Sequence, residues 1–127
     1  MSCLAAREAI VEQTPISQVE IIVVSDGSSD STEQIARSYE PEIRVIAYPD
    51  NRGYGAALKA GFAAADGELV SFLDADGTCD PLYFVPLVNK LMEENADIAI
   101  GSRMGPDSEM PAVRRLGNRI FRGIINW

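Results

Sequence analysis

The chain has 127 residues and no histidine. Histidine is the commonest general base and a frequent metal ligand, so any acid–base chemistry falls to carboxylates or to the substrate itself. Cysteine is nearly as scarce. Cys3 and Cys79 stand far apart and in no metal-ligand spacing, which together with the missing histidine argues against a structural zinc site. No run approaches the roughly 18 consecutive apolar residues that would suggest a membrane span. Arg7, Glu8 and Glu12 interrupt the opening residues, so no apolar core of a signal peptide is visible there. There is no internal repeat and no low-complexity linker.

What is present is ordinary for a soluble globular chain: 46% hydrophobic and 24% charged residues, enough to bury a core. The length suits one domain, taken as 1–127. The net charge is −8 but unevenly spread. From Arg103 onward five arginines face Asp107 and Glu109, a balance of +3, and the rest carries −11. One reading is a solvated surface. The other is a body that recruits a cation and a tail that meets phosphate.

Apolar runs alternate with helical patterns. Residues 4–11 (LAAREAIV) read as a helix. The β-branched run 19–24 (VEIIVV) reads as a strand, closed by the turn-forming 25–30 (SDGSSD). A helix is expected over 32–39, stopped by Pro41, then a strand at 43–47. Asn51-Arg52-Gly53 leads into a helix at 54–65. Strands are expected at 69–73 and 98–101, with a helix from Asp80-Pro81 to about Glu94 between them. Gly105–Pro111 reads as a loop and 113–126 as a last helix. Such alternation implies right-handed βαβ units and a mainly parallel sheet covered on both faces. Ligands of such sheets bind beyond the carboxyl ends of the strands. The acidic and glycine-rich clusters follow strands, so they fall on that edge. Doubly wound sheets usually open with a central strand, whereas this chain opens with a helix.

Asp74-Ala75-Asp76 is the most informative cluster. Carboxylates at i and i+2 share a face while the chain stays extended, and at a strand end both approach one hard cation, Mg²⁺ or Mn²⁺, alongside substrate phosphates. The plainer reading is a charged turn. Asp26-Gly27-Ser28-Ser29-Asp30 reads as a turn and helix cap, or as a nucleoside contact by Asp26 with glycine permitting close approach. The 51–61 stretch (NRGYGAALKAG) is either a helix amino end facing phosphate or sugar, with Lys59 one turn in, or small residues packed closely on a sheet. It is neither a P-loop nor a dinucleotide fingerprint. Arg103 and Arg119 are surface arginines or phosphate forks. The tail 114–127 (RRLGNRIFRGIINW) is either a basic amphipathic helix at a membrane surface or a core-facing helix.

The order VVSDGSSDST, NRGYGAALKAGF, FLDADGTCDP, GSRM, LGNRIF resembles the family 2 glycosyltransferases with a GT-A fold, in particular the dolichyl-phosphate and polyprenyl-phosphate sugar synthases, over residues 19–127. The resemblance implies a Rossmann-like α/β fold, a donor of the nucleoside-diphosphate sugar class (UDP- or GDP-linked), and Mg²⁺ or Mn²⁺. It puts Asp26, Gly27, Ser28, Asp30, Gly53, Lys59, Asp74 and Ala75 around the donor. Asp74 and Asp76 stand at the metal, and Arg103 and Arg119 at phosphates. Asp76 and Arg103 become the candidate catalytic pair. Three departures stand out. Ser25 replaces the first Asp of the common D-D-G-S, and Thr78 stands where the synthases often carry Gln. The family's opening strand and its last C-terminal elements are expected to be missing.

The resemblance implies inverting sugar transfer, with a lipid phosphate as acceptor. Such an acceptor is already ionised near neutral pH and needs no protein base. The competing expectations are a non-catalytic nucleotide-binding or assembly fragment, perhaps oligomeric through an exposed sheet edge, and a nucleotidyltransferase of similar architecture. A cytoplasmic chain, peripheral at the membrane face, is expected, with no nucleic-acid partner.

Overall fold

The computed structural model describes residues 3–101. Helix α1 (Cys3–Gln13) is followed by strand β1 (Ile22–Asp26), helix α2 (Thr32–Arg37), strand β2 (Arg44–Tyr48) and helix α3 (Tyr54–Ala64). A 3₁₀ turn (Pro81–Tyr83) then runs into α4 (Phe84–Glu93). β1 and β2 pair in parallel, Ile22 opposite Arg44 through Asp26 opposite Tyr48.

Local chemistry sets most of these bounds. α1 stops at Thr14-Pro15, because the residue before a proline avoids the helical region. Thr14 Oγ1 donates back to the Ile10 carbonyl at 2.7 Å and accepts from the Ile16 amide at 3.2 Å. Ala6 and Ile10, four apart on one face, are buried. α2 ends two residues short of the expected 39, in a hydrogen-bonded turn that includes Tyr39 N–H to the Ala36 carbonyl. Asp80 caps the 3₁₀ turn, accepting from the Leu82 amide at 3.0 Å with Pro81 at its first position. The expected single helix 81–94 therefore opens with one tighter turn.

α2 is the crossover from β1 to β2. α3 then runs back and packs chiefly on β1. α2 itself packs on β2 and, less extensively, on β1. Gly61 makes the α3 contact close: a Cβ there would meet Val24 Cγ2 at 3.4 Å. Ala36, Ile43 and Ser25 are the buried residues around the sheet.

Two expected strands do not form. Residues 69–73 and 98–101 carry no ladder pairing, and the sheet has two strands among the described residues. Leu69, Val70 and Phe72 stay exposed, as do Ile98 (74%) and Ile100 (83%). β-branched composition makes a segment competent for a ladder, but a strand forms only with a neighbour about 4.8 Å away. α3 touches both β1 and this segment, through Gly61 on Val24 and an edge-on Phe62–Phe72 contact with ring centroids 6.2 Å apart. A helix about 10 Å across spans two strand spacings, so covering both does not make them adjacent. Among the described residues no helix is long and apolar enough to cross a membrane.

Gly27 sits at the end of β1 with φ +71°, and a Cβ there would lie 2.4 Å from the Asn51 nitrogen. Gly55 has open space around its Cβ position and lies inside α3. Gly27→Ala is expected to destabilise the chain by about 2 kcal/mol or more, from left-handed backbone strain plus the clash. Gly55→Ala is expected to be neutral or to stabilise by about 0.5–1 kcal/mol. Urea midpoints of the two variants check both signs.

Candidate nucleotide-sugar site

The parallel register puts the carboxyl ends of β1 and β2, Asp26 and Tyr48, at one edge. Gly27 extends the ladder by one bond, its amide donating to the Tyr48 carbonyl at 3.1 Å. Its missing side chain lets the 50–51 backbone pass against it.

Asp26 ties this edge together. Its Oδ1 accepts from the Arg52 amide at 2.9 Å and its Oδ2 from the Gly53 amide at 2.8 Å. Gly53, at φ +91°, is the cap residue of α3. A carboxylate holding two backbone amides at a helix amino end is favoured by hydrogen bonding and by the helix dipole. Arg52 then lies with its guanidinium 3.8 Å from the Tyr48 ring centroid, a cation–π contact. Tyr54, first residue of α3, donates its phenol to Asp74 Oδ1 at 3.0 Å. Through these bonds Asp26, Arg52, Gly53, Tyr54 and Asp74 are brought together.

The other expected donor residues fall into place less uniformly. Ser25 is buried, and its hydroxyl donates to Ser28 Oγ at 2.9 Å. The residue that departs from D-D-G-S thus braces the turn from within, and a buried carboxylate at this depth would need compensating partners. Asp30 accepts from the Thr32 amide at 3.0 Å and opens α2. Thr32, by its side chain first and its amide second, holds the Asp30 carboxyl below the usual aspartate range. Lys59 is exposed on α3, with no bond linking it to the Asp26 cluster.

Contrary to the expectation from their i, i+2 spacing, extended backbone does not carry Asp74 and Asp76 onto one shared face. The chain turns at 75–76, and Gly77 has φ +74°. Asp74 faces outward to Tyr54, whereas Asp76 Oδ1 accepts from the Thr78 amide at 2.9 Å and its hydroxyl at 2.7 Å. Turn geometry replaces strand alternation. Among the described residues no group of three or more His, Cys, Asp or Glu is arranged around a metal. Two oxygen-donor aspartates suit a hard cation whose remaining ligands are phosphates and water. Arg103 and Arg119 lie outside the described residues.

Arg52, Tyr48 and Tyr54 carry site contacts that the motif reading passed over. The signal available was an aromatic at the end of a strand, with an arginine four residues on in the loop. Tyr54 and Asp74 are twenty residues apart, and no spacing rule joins them. The Tyr54 phenol is held above its ordinary range, first by its hydrogen bond to Asp74 and then by burial. The bond's contribution is complete below the ordinary phenol range and fades as pH rises through the higher value.

At the opposite, amino edge of the sheet a cleft of about 490 Å³ opens among Arg7, Glu20, Glu42, Arg44 and Asp66. Arg44 Nη1 donates to the Ala64 carbonyl at 2.8 Å and pairs with Glu20 at 3.5 Å and Asp66 at 3.8 Å. Arg7 pairs with Glu42 at 4.0 Å. With both arginines engaged by acids, this cleft is a poor anion site.

The family model for glycosyl transferase family 2 matches residues 4–125. The chain belongs to that family. It is 38% identical over 133 residues to a dolichyl-phosphate beta-glucosyltransferase of Drosophila melanogaster, covering 97% of this chain and 40% of that protein. A dolichyl-phosphate beta-glucosyltransferase of Trichomonas vaginalis is 37% identical over 107 residues, covering 79% of this chain and 32% of its own length. The glycosyltransferase AglD of Haloferax volcanii is 32% identical over 123 residues, covering 93% and 20%. The chain thus spans two fifths or less of the length of these relatives. No solved structure matches it. Family membership carries the GT-A class of α/β fold, with which the parallel β1–β2 pair and its flanking helices agree.

Two outcomes test this geometry. Asp26→Ala should speed amide exchange at Arg52 about tenfold, the loss of one net hydrogen bond of about 1.4 kcal/mol, and at Gly53 less, because that amide also reaches Asn51 Oδ1 at 3.0 Å; NMR reads both. Asp30 should titrate below the ordinary aspartate value. Its contribution is present above the unfolded pKa and is lost as pH falls through the folded one. In Thr32→Val the carboxyl midpoint should move up, measured by ¹³C NMR.

Proposed function

We propose that this chain is the donor-binding part of a glycosyltransferase that moves a sugar, with inversion, from a nucleoside diphosphate to a polyprenyl or dolichyl phosphate. The observation that carries the reading is the convergence of Asp26, Arg52, Gly53, Tyr54 and Asp74 at one carboxyl edge, where α/β sheets bind their ligands. Similarity to two dolichyl-phosphate beta-glucosyltransferases supports the acceptor class.

In this reading 1–127 is one nucleotide-sugar-binding domain. The turn of Asp26, Gly27, Ser28 and Asp30 borders the nucleoside. Arg52, held over the Tyr48 ring, offers a cation at the rim. Gly53, Lys59, Asp74 and Ala75 line the ribose and diphosphate, and Arg103 and Arg119 serve phosphate groups. Asp74 and Asp76 would hold Mg²⁺ or Mn²⁺, which supplies Lewis-acid stabilisation of the departing diphosphate. An acceptor phosphate oxygen bonds to the anomeric carbon as the bond to the diphosphate oxygen breaks. Because the acceptor is already anionic, no protein base is required, in keeping with a chain without histidine. Arg103 balances charge on the leaving group. The chain would work in the cytoplasm at the membrane face, where a lipid phosphate is presented.

One observation favours a second reading, a non-catalytic nucleotide-binding or assembly module. Each strand of the two-stranded sheet keeps an edge without a ladder partner among the described residues, and such edges pair between chains. A homo-oligomer through β1 belongs to that reading.

Calorimetric titration with UDP and GDP, with and without Mn²⁺, separates the two. The transferase reading expects metal-dependent binding of one nucleotide, weakened at least tenfold in Asp76→Ala. A folded chain that binds neither nucleotide sinks it in favour of the module.

A further inference from the structure

Tyr54 stands where two constraints meet. Its backbone opens α3, whose first turn closes on the Gly53 carbonyl through the amides of Ala56 at 2.9 Å and Ala57 at 3.1 Å. Gly53 in turn is gripped by Asp26 at 2.8 Å. The backbone of Tyr54 is therefore set by β1 and the helix cap together. Its side chain reaches across to Asp74 Oδ1 at 3.0 Å. The residue is 59% exposed, so core packing does not account for its placement.

The two aspartates of the D-x-D are held in different ways. Asp76 accepts from Thr78 within its own turn. For Asp74, the Tyr54 phenol is the hydrogen-bond partner among the described residues. A phenol is also an apt chemical choice. It donates one hydrogen bond without bringing a cation, so it orients the carboxylate and leaves its negative charge in place. Lysine or arginine at that point would pair with the carboxylate and compete with a metal. With two side-chain torsions, tyrosine also loses little freedom on being held.

We infer that Tyr54 is a positioning residue for the D-x-D: it ties Asp74 to the amino end of α3, so that the Asp26 loop and the metal-side carboxylate move as one unit and the other Asp74 oxygen is left for the cation. The inference rests on the donor reading above and adds to it a residue that touches neither the sugar nor the leaving group. Its consequence is specific. Loss of the phenol should impair the part of nucleotide binding that depends on the cation and spare the part that does not.

The test compares the full 127-residue chain with Tyr54→Phe, which keeps the ring and removes the donor. UDP and GDP are titrated with and without Mn²⁺, melting temperature is recorded, and amide exchange is followed across 74–77. The expected result is an unchanged melting temperature, metal-free nucleotide affinity within twofold of wild type, and metal-dependent affinity three- to tenfold weaker. Exchange at 74–77 should be several-fold faster. Unchanged metal-dependent affinity overturns the inference. So does an equal loss with and without metal accompanied by a lower melting temperature, the mark of a merely structural role. If the wild-type chain binds no nucleotide, the donor reading falls by itself, and exchange then decides the tether: unchanged rates at 74–77 refute it and faster rates uphold it.

Discussion

The carboxylate of Asp26 accepts the backbone amides of Arg52 and Gly53, and the geometry at the carboxyl edge follows from that pair of bonds. β1 and β2 are joined along their length by the parallel ladder, but a ladder says nothing about the path of the loops beyond it. The two bonds fold the 51–53 loop back over the end of β1, start α3 there, and set Arg52 over Tyr48. Because α3 begins at a fixed point, its first residue reaches Asp74. One carboxylate thus organises residues from three separate stretches of chain.

Close approach makes this arrangement possible. Gly27 allows the Asn51 backbone to lie where a side chain would otherwise be, and Gly61 allows α3 to settle on Val24. The small residues of the 51–61 stretch therefore serve packing as well as the site. The two readings of that stretch, ligand cradle and helix–sheet contact, are compatible because they use different positions: Gly53 caps the helix and Gly61 meets the sheet. The amino edge shows a contrasting chemistry. There Arg44 and Arg7 are matched by Glu20, Asp66 and Glu42, exposed pairs that contribute little stability each and leave no cation for a phosphate.

The charge distribution fits a division of labour within family 2. The body carries −11 and the stretch from Arg103 onward +3. Asp26, Asp74 and Asp76 make the segments around this edge acidic, a surface that favours cations over bare anions. The turn at 75–76 keeps the two D-x-D carboxylates under separate control: Asp76 is held by its own loop and Asp74 by the neighbouring helix.

Much of this was legible in the residues. The alternation of β-branched runs and helical patterns identified α1, β1, α2, β2, α3 and α4, since their periodicity and caps are local properties, although the first strand runs 22–26 rather than the expected 19–24 and takes in Ser25 and Asp26 from the expected turn. The helix start at Asp80-Pro81 depends on the backbone preferences of those two residues alone. The motif order pointed to the family that the family model also matches. What periodicity could not decide was pairing. Residues 69–73 and 98–101 have strand composition, yet a ladder is a relation between two segments, and no partner lies beside them among the described residues. The paired carboxylates of 74–76 misled for a similar reason: alternation applies to extended chain, and here the chain turns. Tyr54 and Asp74 met only because α3 starts where Asp26 holds it. Sequence by itself determined the local elements, the acidic clusters and the family. Tertiary structure decided which strands exist and which carboxylates have partners, because hydrogen bonds between distant segments depend on where the backbone carries them.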